Sequence, residues 1–211
     1  WIDLTDRVDN ALPMLTFSLG LPMSPTSWSG LSLAVGVSLA RSLAPHIQLK
    51  WPNDLWLNER KLGGILIETT SINSQRYAVI GVGINILHAK PSATTALRTV
   101  PASLQEINSQ AHAASTLVQV IEPLVRTIQM FETQGFAPFQ KSFNALDALQ
   151  NRTVLIQDNM NSLANAAQQQ NLNQGIAQGI AQGVDATGAL IVLTTSGRQL
   201  VSSSEVSIKA M

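Results

Sequence analysis

Between Leu49 and Glu68 the chain reads Leu-Lys-Trp-Pro-Asn-Asp-Leu-Trp-Leu-Asn-Glu-Arg-Lys-Leu-Gly-Gly-Ile-Leu-Ile-Glu, and no other stretch restricts the fold as strongly. Ile47 to Trp51 reads as a strand. Pro52 has no backbone donor and pushes Trp51 out of the helical region, so the strand ends there and Asn53-Asp54 fall at its mouth. Leu55-Trp56-Leu57 resumes an extended run, Asn58-Glu59-Arg60 turns it, and Lys61 opens a second run through Glu68, which together predict a hairpin. That hairpin brings Lys61 back toward Asp54. Gly63-Gly64 inside the second run marks a bulge, or a close approach by a ligand or another backbone. Charge, amide, aromatic ring and paired glycine gathered inside apolar sequence are the makings of a site more than of a core.

The flanking chain supplies a scaffold. Leu12 to Met23 reads as a buried strand ended by Pro22, Ser24 and Pro25. Ser27 can cap a helix from Trp28 to Leu43, with Leu31, Ala34, Val35 and Leu39 on one face and Leu33, Val37 and Ala40 on the other, so it packs on both sides. Gly36 in its middle implies a close helix-to-sheet contact, and Pro45 stops it. Tyr77 to Ile86 is a further apolar strand, Pro91 to Pro101 a loop, and Ser103 to Asn108 one or two helical turns. From Ser115, Leu117, Ile121, Leu124, Ile128 and Phe131 repeat at helical spacing, with Pro123 predicting a kink or a later start and Gly135 a cap. A last helix follows Pro138, with Phe139, Phe143 and Leu146 on one face. The fold class is α+β, with helices grouped against a mixed sheet.

At Asn151 the texture changes, giving expected domains of 1–150 and 151–211. Thr153 to Gln157, Ile180 to Val184, Ala189 to Thr194, Arg198 to Val201 and Glu205 to Ile208 read as short strands separated by Asp185-Ala186-Thr187-Gly188 and Ser196-Gly197 turns, the pattern of a small β-barrel. The uncharged Asn/Gln-rich tract 159–174 reads as a loop.

Thirteen basic and thirteen acidic residues in 211 leave no net field to draw nucleic acid or an anionic membrane. Cysteine is absent, which excludes disulfides and thiol catalysis and is compatible with a cytoplasmic setting. No apolar run reaches membrane-spanning length.

Lys50-Trp51-Pro52-Asn53-Asp54, then Lys61-Leu62-Gly63-Gly64-Ile65-Leu66 closing on Glu68, then Gly81-Val82-Gly83-Ile84-Asn85 resemble three consecutive signatures of the biotin protein ligases in both order and spacing. The resemblance extends more weakly from about Leu15 to the C-terminus. It implies a catalytic domain related to class II aminoacyl-tRNA synthetases, followed by an SH3-like C-terminal domain. It further implies an enzyme that activates biotin with ATP and Mg2+ to biotinyl-5'-AMP and transfers the biotin to a lysine of a biotin carboxyl carrier protein domain. Exposed strand edges near the hairpin can pair with an acceptor protein or with a second copy in a homodimer, and the sequence does not choose between them. The chain opens at Trp1 without methionine, and Trp1 to Ala11 is polar and aperiodic, so the expectation is a catalytic domain truncated at its N-terminus. The family places its Gly-Arg-Gly-Arg-type biotin loop, and in some members a helix-turn-helix domain, upstream of this point.

Forming an acyl-adenylate brings a carboxylate onto an α-phosphate while negative charge grows, and a fixed cation is needed there; Lys61 is the candidate. Spacing alone describes a solvated hairpin lysine beside Glu59, and the resemblance reverses that choice, because the family's matching lysine contacts biotin and the reacting phosphate. Asp54 would orient the acceptor amine and take up its proton, whereas without the resemblance Asn53-Asp54 is an ordinary turn pair. Asn53 is assigned to the nucleotide phosphates; Trp51 and Trp56 are of a kind more often found in the core than in a ligand wall, and Trp51, which adjoins the loop, is the one assigned to the nucleotide. Gly81-Val82-Gly83-Ile84-Asn85 lacks the last glycine and the following helix of a dinucleotide fold, and Asn85 offers an amide oxygen to phosphate-bound magnesium. Gly63, Gly64, Ile65, Leu66, Gly81 and Gly83 are assigned to biotin, although the glycines serve equally to pack one strand across another. His46, His88 and His112 show no metal-ligand spacing. Two rivals stand beside this reading: a lipoate or octanoate ligase of the same fold, and a protein that binds biotin or adenylate without catalysis.

Overall fold

The computed structural model describes residues 13–88, 100–158, 176–202 and 206–210. Expectations for Trp1 to Ala11, for residues 91–99 of the Pro91 to Pro101 loop and for the 159–174 tract lie outside them.

The first sheet has five strands, β1 (Met14–Pro22), β2 (Gln48–Lys50), β3 (Asp54–Leu57), β4 (Arg60–Ile72) and β5 (Gln75–Asn85), in the order β1-β5-β4-β3-β2. Among the described residues every strand pair is antiparallel, which corrects the expected mixed sheet; their parallel contact in the first sheet is a bridge from Leu49 to Asp147. Two tight turns enforce this. Asn58 and Glu59 (φ 50 and 62) and Asn73 and Ser74 (φ 47 and 67) occupy the left-handed region at both central positions, the turn geometry whose twist matches paired strands. The Asn73-Ser74 turn extends β4 past the expected end at Glu68.

Alternation along the strands gives the sheet two unlike faces. Leu15, Leu55, Leu57, Ile65, Ile80, Val82 and Ile84 are buried in the core that also holds α1 (Leu31–Leu43) and α2 (Ala113–Gln134). Gly36 meets this face as expected: a Cβ there would lie 3.1 Å from Leu49 Cδ2. The first helix starts at Leu31, three residues later than expected, because Gly30 (φ 81) caps it in the left-handed conformation against Phe136. The second starts at Ala113, capped by His112 Nδ1 accepting from the Ser115 N–H at 3.2 Å, and runs through Pro123. A short third helix, α3 (Gln140–Leu146), follows.

The second sheet comprises β6 (Thr153–Asp158), β7 (Ile176–Val184), β8 (Leu190–Thr194), β9 (Gly197–Val201) and β10 (Val206–Ala210), all antiparallel in the order β10-β6-β7-β8-β9. Its Asp185–Gly188 turn is closed by the Asp185 carboxylate, which accepts from Thr187 N (2.8 Å), Thr187 Oγ1 (2.7 Å) and Ala189 N (3.0 Å). Burial alone would raise this carboxyl; those donors outweigh it and hold the group below the usual range. The turn docks on the first unit. Ser29 Oγ donates to Thr187 O at 2.7 Å, Trp51 Nε1 donates to Gly188 O at 3.1 Å, and a Cβ on Gly188 would meet Gly30 Cα at 2.9 Å. Val154, Ala181, Val184, Leu190 and Val192 join the same buried cluster as the first sheet.

Candidate active site

The sheet face away from the helices is where the expected residues gather. Antiparallel pairing sets Thr16, Gly83, Gly64 and Asp54 in one row across four strands, and Ser18, Gly81 and Leu66 in the next. Directly paired residues share a face, so the two rows together form a strip of sheet with three glycines and short polar neighbours. Leu66 is 62% exposed on it.

Lys61 reaches this strip through a bulge. The β3–β4 register slips between Leu55 and Trp56, so that Lys61 opposes Trp56 and Gly63 opposes Leu55, with Leu62 inserted and buried. The Lys61 ammonium lies 2.6 Å from Asp54 Oδ1, with side chains 56% and 20% exposed respectively. A Cβ on Gly64 would sit 3.4 Å from Lys61 Nζ and 3.6 Å from Asp54 Oδ1, so the ion pair lies over that glycine.

The glycines divide into two kinds. A Cβ on Gly63 would come within 2.3 Å of the Gly83 carbonyl oxygen, so strand packing alone requires glycine there. Gly81 and Gly83 are different: their nearest neighbours, Leu66 O at 3.5 Å and Met14 Cε at 3.7 Å, are ordinary contacts. Packing does not explain their missing side chains, and the open face does.

Asn53 and Asn85 are both held by side-chain bonds to backbone. Asn53 Nδ2 donates to Ile65 O (3.0 Å) and the Ile65 N–H returns to Asn53 O (2.9 Å), pinning the Pro52 turn to β4. Asn85 Nδ2 donates to Ala102 O (3.0 Å) and to Lys61 O (3.4 Å), bringing the Gly81-to-Asn85 strand end against Lys61. Two of the expected residues lie off the open face. Ile65 is buried on the helix side, 3.6 Å from where a Gly36 Cβ would lie, because strand alternation turns it away from Gly64 and Leu66. Trp51 is 1% exposed with its indole N–H on Gly188, so it braces the two sheets at the side of a cleft that it lines with Pro52 and Gly188.

Sequence reasoning missed Met14, Thr16 and Ser18 of β1, which lie opposite Asn85, Gly83 and Gly81. The signal was present in the alternation of Met14, Thr16, Ser18 and Gly20 with Leu15, Phe17, Leu19 and Leu21. It also missed Glu106, which pairs with Arg60 and lies 3.8 Å from His88 Nδ1. Burial pulls the Glu106 carboxyl upward, but Arg60, the Ser103 N–H and His88 together hold it below its ordinary value. A cleft of about 300 Å³ borders the Pro52 turn, lined by Trp28, Ser32, Asn53, Leu66 and Thr69 among others.

Residues 15–85 match the family model described as the Biotin/lipoate A/B protein ligase family, and residues 171–209 match the Biotin protein ligase C terminal domain. The chain is 34% identical over 147 residues to the bifunctional ligase/repressor BirA of Escherichia coli K12, covering 64% of this chain and 43% of that protein. It is 28% identical over 181 residues to the biotin–[acetyl-CoA-carboxylase] ligase of Paracoccus denitrificans, covering 84% and 70%. The chain therefore spans less than half the length of the BirA relatives. Its fold matches the biotin protein ligase of Aquifex aeolicus with a TM-score of 0.74 at 21% identity, over 94% of this chain and 83% of that one. The same ligase in complex with biotin and ATP matches with a TM-score of 0.73 at 22% identity, over 94% and 79%. Residues 15–85 thus carry the sequence pattern of the Biotin/lipoate A/B protein ligase family, on a fold shared with a solved biotin protein ligase. Residues 171–209 add a match to the C-terminal domain of biotin protein ligases, and the similarity to the Paracoccus denitrificans ligase extends into both matched regions.

Proposed function

We propose that the protein activates biotin with ATP to biotinyl-5'-AMP and transfers the biotin to a lysine of a biotin carboxyl carrier protein domain. The carrying observation is Lys61 paired with Asp54 over a glycine-lined, open sheet face. In this reading the Gly64, Gly81 and Gly83 backbone forms the floor beneath biotin, and Leu66 covers an apolar part of it. The Lys61 ammonium draws the biotin carboxylate and the α-phosphate together and meets the charge that develops as the carboxylate oxygen bonds phosphorus and pyrophosphate leaves. Asp54, released from Lys61 when those anions arrive, orients the acceptor amine, which attacks the acyl carbon and expels AMP. Asn53 and Asn85 keep their amide carbonyls for the nucleotide, since their N–H groups are engaged by backbone.

Magnesium fits only as a phosphate-bound ion. Among the described residues no three His, Cys, Asp or Glu side chains converge as a cage, so the ion would be held by phosphate oxygens, water and one or two of the Asp54 and Asn85 oxygens, where it would neutralise the phosphates. We read the second sheet as the SH3-like domain and residues 1–150 as the catalytic domain, of class II synthetase ancestry.

The lipoate or octanoate alternative is favoured by the breadth of the family model over residues 15–85; the C-terminal match favours biotin. Mass spectrometry of a mixed pool of biotinyl and lipoyl acceptor domains, incubated with the protein, ATP, Mg2+ and all three acids, tests it. Biotinylated carrier protein is the expected product, and lipoylated or octanoylated acceptor would replace the proposal with its rival.

A further inference from the structure

The rim of the site is braced by a carboxylate that the reaction scheme does not use. Arg60 and Lys61 are consecutive and open β4 opposite Leu57 and Trp56, immediately beside the register shift in its ladder with β3. Further contacts brace the Lys61 backbone from the other side. The Lys61 carbonyl accepts from Ala102 N at 2.9 Å and from Asn85 Nδ2 at 3.4 Å, and the same Asn85 amide reaches Ala102 O at 3.0 Å. Ala102 leads into the turn at Leu104–Glu106, whose capping box has Glu106 Oε1 accepting from Ser103 N at 2.9 Å. The same carboxylate forms a part-buried ion pair with Arg60. Chain and contacts thus close a ring from Arg60 through Glu106, Ser103 and Ala102 back to Lys61.

We propose that Glu106 is a positioning residue for Lys61, fixing the strand backbone from which the ammonium is presented to the reacting anions. The inference rests on the reading of Lys61 as the cation of adenylate formation. Lysine is a point charge on a flexible stem, so the place of its Cα decides where the charge can go. Removing the Glu106 charge leaves Arg60 unpaired beside Lys61 and opens the ring. A displacement of about 1 Å at a reacting group is enough to cost up to a hundredfold in rate.

Single-turnover pyrophosphate release from biotin and ATP is the test, run on the protein, Glu106→Gln, Lys61→Ala and the double variant. Glu106→Gln is expected to slow release about tenfold while the KM for ATP stays within about twofold, since the ground-state contacts persist. In the Lys61→Ala background the same change should add nothing, because its whole effect passes through Lys61. Equal losses with and without Lys61, the mark of a merely structural role, would overturn the inference. A second readout is independent of turnover: acylation of Lys61 by a water-soluble acetylating ester, mapped by peptide mass spectrometry relative to exposed Lys141, should change severalfold in Glu106→Gln. An unmodified protein that releases no pyrophosphate would overturn the ligase reading. The Lys61 acylation ratio would then decide the inference alone, a shifted ratio upholding it and an unchanged one ending it.

Discussion

Lys61 and Asp54 hold each other at 2.6 Å across Gly64, so each is positioned before any ligand arrives and each is altered by changing the other. Lys61→Ala should slow adenylate formation by a hundredfold or more, about 3 kcal/mol, with a much smaller effect on ATP affinity. Single-turnover adenylation against equilibrium ATP binding separates the two. Asp54→Asn should impair transfer from isolated biotinyl-adenylate more than adenylate formation, with partial rescue as pH rises, because an acceptor lysine with a pKa of about 10.4 is mostly protonated at neutrality. Equal transfer at all pH values would leave Asp54 as a turn residue. Asp147 makes a different prediction. Its Oδ1 accepts from Leu149 N at 2.9 Å, its Oδ2 is buried without a partner, and burial pushes the carboxyl up to about 6 from 3.8, the Leu149 bond opposing. The folded chain therefore binds that proton more tightly than the unfolded one. Stability falls as pH rises from about 3.8 to about 6, and the penalty, roughly 3 kcal/mol, persists above it. Denaturant titrations should show Asp147→Asn gaining on the unaltered protein between about pH 4 and pH 7.5.

At the scale of elements, the two kinds of glycine give opposite expectations. Gly63→Ala forces a Cβ to within 2.3 Å of the Gly83 carbonyl and should destabilise the fold by about 1–3 kcal/mol, lowering the melting temperature. Gly83→Ala meets nothing closer than 3.7 Å and should melt as before while binding biotin more weakly by calorimetry. A biotin affinity unchanged in Gly83→Ala would take the ligand off this face. The β3–β4 hairpin was legible because Pro52 and Asn58-Glu59 punctuate it, and local turn chemistry is written locally. The bulge itself was open to Gly63-Gly64 as one of two readings, and only the register decides it. Ile65 lies on the opposite face from Gly64 and Leu66 because a motif lists consecutive residues, whereas a strand divides them between two faces. The helix starts moved because Gly30, not Ser27, caps the first helix and His112 caps the second ahead of Ser115.

Across the whole molecule the Asp185–Gly188 turn of the second sheet meets the first at Ser29, Gly30 and Trp51, residues up to 158 positions away in sequence. No local pattern announces such a contact, which is why Trp51 read as a ligand wall and Glu106 did not read at all. Both roles exist only after the chain has folded. The α+β class, the helix-covered core and the second run of strands were legible, since they follow from periodicity and turns; the antiparallel order of the first sheet follows from turns at both ends of β4. Gly188→Ala should strain the left-handed turn and crowd Gly30, lowering the melting temperature and exposing Trp51 to a fluorescence quencher. The most direct test of the central claim is intact-mass analysis of an apo carrier-protein domain after incubation with the protein, biotin, ATP and Mg2+. The account predicts one biotinyl group on the acceptor lysine, formed with the protein and lost with Lys61→Ala. An acceptor left unmodified by the protein, or modified equally by Lys61→Ala, would contradict it.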